Sequence, residues 1–179
     1  MAIAIYPGSF DPVHLGHVQI VETAATIFDQ LIVVAMHNRE KKGFLSIEKR
    51  EELLKTSFVH LDNVVTDSST GLVVDVAQAL NADVIIKGLR SSVDFEIEMQ
   101  MAQTNRRISQ INTFFIPADP EFSYISSRFI REISSEGGDV SGLVPKPVSE
   151  LLKREIGNND WSRAESVSYT HLRAHETET

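Results

Sequence analysis

The chain contains no cysteine, and none of its apolar runs has the length of a membrane-spanning helix. The missing thiols exclude a disulfide framework, a thiolate metal site and a cysteine nucleophile. The N-terminus lacks a basic region followed by an apolar run, so no export signal is indicated. From these absences we expect a cytoplasmic protein that does not insert into membranes.

Positive charge is also scarce, because 17 lysine and arginine residues face 25 aspartate and glutamate residues, for a formal net charge of -8. A chain with this balance is a poor partner for nucleic acids or anionic membranes, and we expect neither. Small anionic ligands stay compatible with it, since a few cations gathered at one place can hold them within an acidic protein.

Strand-like and helix-like segments alternate along the sequence. Apolar runs predict five strands, at 2–6, 30–36, 63–66, 83–87 and 112–116. Apolar residues at helical spacing predict helices at 15–28, 46–58, 72–80, 93–108, 127–134 and 147–156. This alternation is typical of an α/β fold, here a five-stranded parallel sheet with helices on both faces.

We assign residues 1–157 to a single domain. Residues 158–179 carry the only tryptophan and show no helical period, so we predict a non-native or disordered tail there. In parallel sheets, ligands bind beyond the carboxyl ends of the strands, near the point where the strand order reverses. Polar residues at those ends should therefore face one crevice.

The segment from Tyr6 to His17 joins the first predicted strand to the first predicted helix. His14 and His17 lie three residues apart, on one face of the first helical turn. A helix N-terminus offers free backbone N–H groups and the positive end of the helix dipole. With two imidazole donors, and with Gly8 and Gly16 permitting close backbone approach, the corner is predicted to bind phosphate.

Three other interpretations of this corner stay open from its local chemistry. It could be only a tight connection, without a ligand. His14 and His17 could share a metal ion, although zinc normally needs at least three protein ligands. Ser9, His17 and Asp11 could form a hydrolase triad, although the Gly-x-Ser-x-Gly pattern of a nucleophile elbow is absent.

Cations follow several of the predicted strands. Their positions are Lys41 and Lys42 after the second strand, Lys87 and Arg90 around the end of the fourth, and Arg128 and Arg131 after the fifth. Ser126 and Ser127 precede a helix, where they could cap it or bind a second phosphate. Two phosphate sites point to a nucleoside triphosphate and a second phosphorylated partner. No Walker pattern and no Gly-x-Gly-x-x-Gly after a strand is present.

These residues resemble a known group of enzymes. Tyr6-Pro-Gly-Ser-Phe-Asp-Pro12, His14-Leu-Gly-His17 and Ile125-Ser-Ser127 resemble the motifs of the His-x-Gly-His nucleotidylyltransferase superfamily, whose fold is Rossmann-like. Within it, the segment 87–105 closely resembles phosphopantetheine adenylyltransferase. The resemblance covers residues 1–157.

The resemblance implies an activity. That family transfers AMP from ATP to 4′-phosphopantetheine, which gives dephospho-coenzyme A and pyrophosphate, by direct in-line attack without a covalent enzyme intermediate. It also implies Mg²⁺ as the helper of ATP, a homohexamer and feedback by coenzyme A. The implied partners are ATP and 4′-phosphopantetheine, with no protein-bound metal site of its own.

The resemblance also implies roles for single residues. The catalytic group is His17, which would donate to the α-phosphate, Lys41, which would hold the attacking phosphate, and Arg90, which would bind the β- and γ-phosphates. The substrate positions are Ser9, Lys41, Val73 and Lys87. The ATP positions are Ser9, Phe10, His17, Gly88, Leu89, Arg90, Glu98, Phe122, Ser123, Tyr124, Ile125, Ser126, Ser127 and Arg128.

Three positions depart from the family pattern. Ser9 stands where many members have threonine, Lys87 where arginine is frequent, and Arg128 where a hydroxyl residue is common. The second change replaces a bidentate phosphate contact by a point charge. Two other functions stay open: a sister nucleotidylyltransferase that acts on another phosphorylated acceptor such as nicotinate mononucleotide, and a non-catalytic nucleotide-binding module.

Overall fold

The computed structural model describes residues 1–157, and the predicted tail at 158–179 lies outside the described residues. The strands are β1 (Ile3–Gly8), β2 (Gln30–Met36), β3 (Val64–Ser69), β4 (Val84–Leu89) and β5 (Asn112–Pro117). The helices are α1 (Leu15–Ala25), α2 (Ile47–Ser57), α3 (Val73–Ala79), α4 (Ser92–Ser109), α5 (Ser127–Ser135) and α6 (Lys146–Gly157).

The strands form one five-stranded sheet in the order β3-β2-β1-β4-β5, and every neighbouring pair is parallel. This confirms the predicted α/β fold. The chain winds outward from β1 to β3, then returns to the other side of β1 to add β4 and β5. The strand order therefore reverses between β1 and β4, where a ligand crevice is expected.

Three strands continue two or three residues further than their apolar runs predicted, and β5 continues one residue further, to Pro117. Pro7 and Gly8 still pair with β2, Asp67 to Ser69 pair with the end of β2, and Gly88 and Leu89 pair with β5. A backbone ladder needs only N–H and C=O groups from a neighbouring strand, so polar side chains and glycine do not end it while a partner continues. The extensions carry the chain to the crevice edge.

Alternating residues of the strands supply two separate cores. Tyr6, Leu31 and Val33 face the larger one, which includes side chains of α1, α2, α5 and α6. Ile5 and Ile32 face the smaller one, with α3. Helices therefore cover both faces, as predicted. Within residues 1–157, no helix combines the length and apolarity that crossing a bilayer requires.

The α4 helix differs from the others because none of its 18 residues is fully buried. Val93, Ile97 and Met101, spaced at i, i+4 and i+8, form an apolar stripe whose members are 67%, 59% and 48% exposed. The stripe lies on the helix that directly follows β4.

Candidate active site

A cavity of about 410 Å³ opens at the carboxyl ends of β1 and β4, at the point where the strand order reverses. Its wall consists of the β1–α1 turn, the end of β4, one face of α4 and the start of α5. Of the residues expected at the site, it is lined by Ser9, Phe10, His17, Lys87, Gly88, Arg90, Glu98, Phe122, Ser126, Ser127 and Arg128.

The two imidazoles on the wall hold each other in place through the backbone. His14 is the N-cap of α1, and its Nδ1 accepts the Gly16 N–H at 3.1 Å. The Nδ1 of His17 accepts the His14 N–H, also at 3.1 Å, and the two rings stack with centroids 3.6 Å apart. Because each Nδ1 is an acceptor, the ring proton sits on Nε2, and each ring keeps one donor for a ligand.

Both imidazoles are neutral at pH 7. Burial, and then the charge of Arg90, lower the pKa of His14 to about 3. Burial, the neighbouring His14 and Arg90 hold the pKa of His17 well below its usual value. His17 therefore offers an anion an uncharged N–H donor rather than a full positive charge.

The ring of Phe10 encloses His17 from the side. Phe10 adopts the left-handed backbone region with φ of 45°, which costs a non-glycine residue about 1–2 kcal/mol. Its ring is buried, with its centroid 4.8 Å from that of His17 and 5.4 Å from that of Tyr6. The packing of three aromatic rings offsets the backbone strain and fixes the imidazole.

Asp11 does not take part in a hydrolase triad. Its buried carboxylate accepts the backbone N–H groups of Phe44 and Leu45, both at 2.8 Å, while His17 Nδ1 is occupied by His14. Without a carboxylate to orient the imidazole as a base, the arrangement of Ser9, His17 and Asp11 lacks its third member. Within residues 1–157, no group of three metal-ligating side chains occurs either.

Each cation of the cavity already has a protein partner. Lys87 Nζ lies 3.3 Å from Glu98 Oε1 across the wall. Arg90 pairs with Asp94 at 3.2 Å and donates from Nη1 to the Ile125 carbonyl, also at 3.2 Å. An anionic ligand must therefore compete with carboxylates for these side chains.

The start of α5 supplies the opposite wall. Ser126 caps the helix by accepting the Phe129 N–H at 3.2 Å, and the Ser127 hydroxyl donates to the Pro12 carbonyl at 2.9 Å. Ser126 is thus a helix cap, and the N-terminus of this nine-residue helix borders the cavity. Backbone N–H groups and the dipole of such a terminus suit a phosphate.

Comparison with known proteins agrees with this geometry. Residues 5–133 match the cytidylyltransferase-like family, which is most of the chain and includes β1 through most of α5. The chain belongs to this family. It is accordingly a nucleotidylyltransferase, and the cavity at the strand switch is its candidate active site.

A solved structure shares the fold of this family member. It is a protein from Vibrio parahaemolyticus whose name assigns it to the nicotinate-nucleotide adenylyltransferases, with a TM-score of 0.58 and 21% sequence identity. The match covers 85% of this chain and 99% of that one.

Six of the expected site residues lie outside the cavity lining of this nucleotidylyltransferase. They are Lys41, Val73, Leu89, Ser123, Tyr124 and Ile125. Lys41 is exposed on the β2–α2 loop, and Val73 begins α3 and packs against the smaller core. Ile125 is buried but contributes its carbonyl to Arg90. Their roles stay predictions.

The cavity lining also includes Tyr6, whose side chain sequence reasoning missed, and Arg131, one of the cations expected after the fifth strand. Tyr6 is the last inward-facing side chain of β1, two residues after Ala4, and burial raises the pKa of its hydroxyl, which is therefore neutral. Arg131 lies one helical turn after Ser127 and donates to the Asp11 carbonyl at 2.8 Å.

Proposed function

We propose that this nucleotidylyltransferase transfers AMP from ATP to 4′-phosphopantetheine and releases pyrophosphate. The observation that carries the proposal is the position of the segment 87–105, whose sequence resembles phosphopantetheine adenylyltransferase. It forms the end of β4 and most of α4, and it brings Lys87, Gly88, Arg90 and Glu98 to the cavity wall.

The chemistry requires alignment and charge stabilisation rather than a base. A phosphate oxygen of the acceptor attacks the α-phosphorus of ATP, a new P–O bond forms, and the bond to the β-phosphate oxygen breaks as pyrophosphate leaves. The acceptor oxygen is already anionic, so no proton must be removed. His17 donates from Nε2 to an α-phosphate oxygen, where charge develops in the transition state.

The other groups divide the remaining phosphates. Arg90 and the N-terminus of α5 take the β- and γ-phosphates, which become the leaving group. Lys87 exchanges Glu98 for the acceptor phosphate, and Lys41 approaches the same phosphate from the β2–α2 loop. Ser9 adds a hydroxyl between both substrates. Orientation of two bound reactants of this kind lowers the barrier substantially without any covalent intermediate.

Mg²⁺ enters with ATP in this proposal. Glu98 is the one carboxylate among the described residues that line the cavity, and Mg²⁺ usually binds through substrate phosphates and one or two carboxylates. This donor set fits a metal carried mainly by the triphosphate, with Glu98 as its protein ligand, where the ion would neutralise charge on the leaving group.

A second cavity of about 610 Å³ lies at the ends of β2 and β3, lined by residues 36–40 and by Thr70 and Gly71. It borders the loop of Lys41, and we assign it to the part of a long acceptor that lies beyond the phosphate. Nicotinate mononucleotide, suggested by the name of the Vibrio parahaemolyticus protein, is the second candidate.

The proposal includes assembly and regulation. The exposed stripe Val93, Ile97 and Met101 on α4 supports contact with further copies of the chain, in a homohexamer. Coenzyme A, which contains the product, would bind the same site and inhibit. Residues 1–157 would act as one cytoplasmic domain, without nucleic-acid or membrane partners.

One assay separates the candidates. The protein is mixed with ATP, Mg²⁺ and either 4′-phosphopantetheine or nicotinate mononucleotide, and pyrophosphate release and product mass are followed. We expect pyrophosphate and dephospho-coenzyme A with the first acceptor, and loss of both in the His17→Ala variant. Release with nicotinate mononucleotide alone would move the assignment to the sister enzyme. No release with either acceptor would favour the non-catalytic module.

A further inference from the structure

We propose that Asp11 is a positioning residue, whose buried carboxylate fixes the β2–α2 loop, and through it Lys41, against the phosphate-binding turn. The inference rests on the proposed function, because it assigns the loop to the acceptor phosphate. Asp11 lies in the β1–α1 turn, but its carboxylate does not face the cavity. Asp11 is absent from the cavity lining, and only 9% of it is exposed.

Both oxygens of the Asp11 carboxylate accept hydrogen bonds from the β2–α2 loop. Oδ2 accepts the Phe44 N–H and Oδ1 accepts the Leu45 N–H, both at 2.8 Å and across more than 30 residues of chain. Two N–H groups on one carboxylate fix the position and the direction of the receiving backbone. Hydrogen bonds to a charged acceptor are also about twice as strong as neutral ones.

Gly43 shows how closely the loop is seated on Asp11. A Cβ atom at this position would lie 2.9 Å from the Leu45 carbonyl, 3.0 Å from Asp11 Oδ2 and 3.1 Å from an Arg50 guanidinium nitrogen. No side chain fits there without displacing one of them. The loop is therefore packed between the turn and α2, with no room to slide.

Arg50 ties the same loop region to the turn from the other side. It is buried on α2, and its Nη1 donates to the Ser9 carbonyl at 3.0 Å, while the guanidinium also borders Gly43. Ser9 lines the cavity. Asp11 and Arg50 thus connect the backbone that carries Ser9 with the loop that carries Lys41.

The anchor restricts where Lys41 can be. Lys41 is three residues before Phe44, so its Cα lies within roughly 11 Å of the anchored backbone. The Lys41 N–H donates to the Asn38 carbonyl at 3.1 Å, which closes a turn in the part of the loop that Asp11 does not contact. The His37 N–H is held separately by the Ser69 carbonyl at 3.0 Å, so releasing Phe44 and Leu45 would free the connection between His37 and Ser46 and disperse the lysine over many positions.

The test is the Asp11→Asn variant, which keeps the shape but directs an NH₂ group at one of the two N–H donors. We expect kcat/KM for 4′-phosphopantetheine to fall about tenfold to a hundredfold, mostly through KM, with the KM for ATP unchanged. The control is Asp83→Asn, which weakens a single exposed bond from the Ile3 N–H, 2.8 Å long, at the amino ends of β1 and β4. It should change neither KM.

A double-mutant cycle with Lys41→Ala decides whether Asp11 acts through this lysine. We expect Asp11→Asn to have little further effect once Lys41 is gone. Multiplying effects, or an equal rise in the KM for ATP, would overturn the proposal.

Amide hydrogen exchange tests the anchor without any substrate. The Phe44 and Leu45 amides should exchange slowly in the wild type and faster in Asp11→Asn, but not in Asp83→Asn. Fast exchange of both amides in the wild type would overturn the proposal even if the Asp11 variant failed to fold. A wild type inactive with 4′-phosphopantetheine would contradict the proposed function instead, and the cycle would then use nicotinate mononucleotide.

Discussion

Replacing His14 by Asn should make the protein less sensitive to acid unfolding. His14 is 5% exposed, and its Nδ1 caps α1 by accepting the Gly16 N–H. Asn is among the best N-cap residues, so its side-chain oxygen can take over this bond. The change therefore removes the titrating ring while keeping the start of the helix. Its effect on pH dependence can be separated from its effect on folding.

The magnitude follows from the pKa of His14, which is about 3 in the folded protein against an ordinary value of 6.5. A pKa lowered by folding means that the unfolded chain binds the proton more tightly. The stability contributed by the neutral ring is complete above pH 6.5 and is lost as the pH falls towards 3. The loss is about 1.4 kcal/mol for each pH unit, or about 2 kcal/mol at pH 5.

The assay is urea unfolding at a series of pH values from 7 to 4, monitored by circular dichroism. The free energy of unfolding should depend on urea concentration with a similar slope in both proteins. As the pH falls, the free energy of unfolding should decrease more steeply in the wild type than in the Asn variant, by about 1.4 kcal/mol per pH unit. Absolute stability at pH 7 should be lower in the variant, since the ring stacked on His17 is missing. Two parallel pH curves would refute a neutral, buried His14.

Two further substitutions test the catalytic corner. His17→Ala should lower kcat by about 10²–10³-fold without changing ATP affinity, because the Nε2 donor acts on charge that develops in the transition state. Pyrophosphate release measures kcat, and calorimetry measures ATP affinity. Near-normal turnover would exclude a catalytic role for His17. Gly16→Ala should lower both kcat and melting temperature, because the new Cβ would lie 2.8 Å from His14 Cε1. The control is Gly142→Ala, whose Cβ would have no other atom within 4 Å, and it should leave both unchanged. Equal melting temperatures for these two variants would contradict the packing argument.

The fold could be predicted from the sequence because its central strands β1 and β2 are buried on both faces. Runs such as Gln30 to Met36 are apolar at nearly every position, which is the pattern of a central parallel strand. The second half of β3, Asp67 to Ser69, has no such signal, since its strand character depends on pairing with the end of β2. An edge strand with half-buried polar side chains is defined by its neighbour and not by its own residues.

The cavity could be predicted in outline for a geometric reason. Strand ends in a parallel sheet converge on one edge, so Ser9, Lys87 and Arg90 had to lie near one another. The exposure of the α4 stripe could not be predicted in this way. Val93, Ile97 and Met101 have the spacing of a core-facing helix, and a sequence pattern does not distinguish a face buried within the chain from one left for a partner.

The contacts that hold the site together explain why its details escape sequence reasoning. Arg90 donates to the Ile125 carbonyl, Arg131 to the Asp11 carbonyl and Ser127 to the Pro12 carbonyl. Each joins two segments that follow different strands, and each acceptor is a backbone oxygen, which every residue type possesses. A sequence motif can identify the donor side chain but not the backbone oxygen that accepts its hydrogen bond. These hydrogen bonds hold the wall of the cavity in a fixed arrangement, although only their donor side chains can be recognised in the sequence. Catalysis by positioning and electrostatics depends on that rigidity.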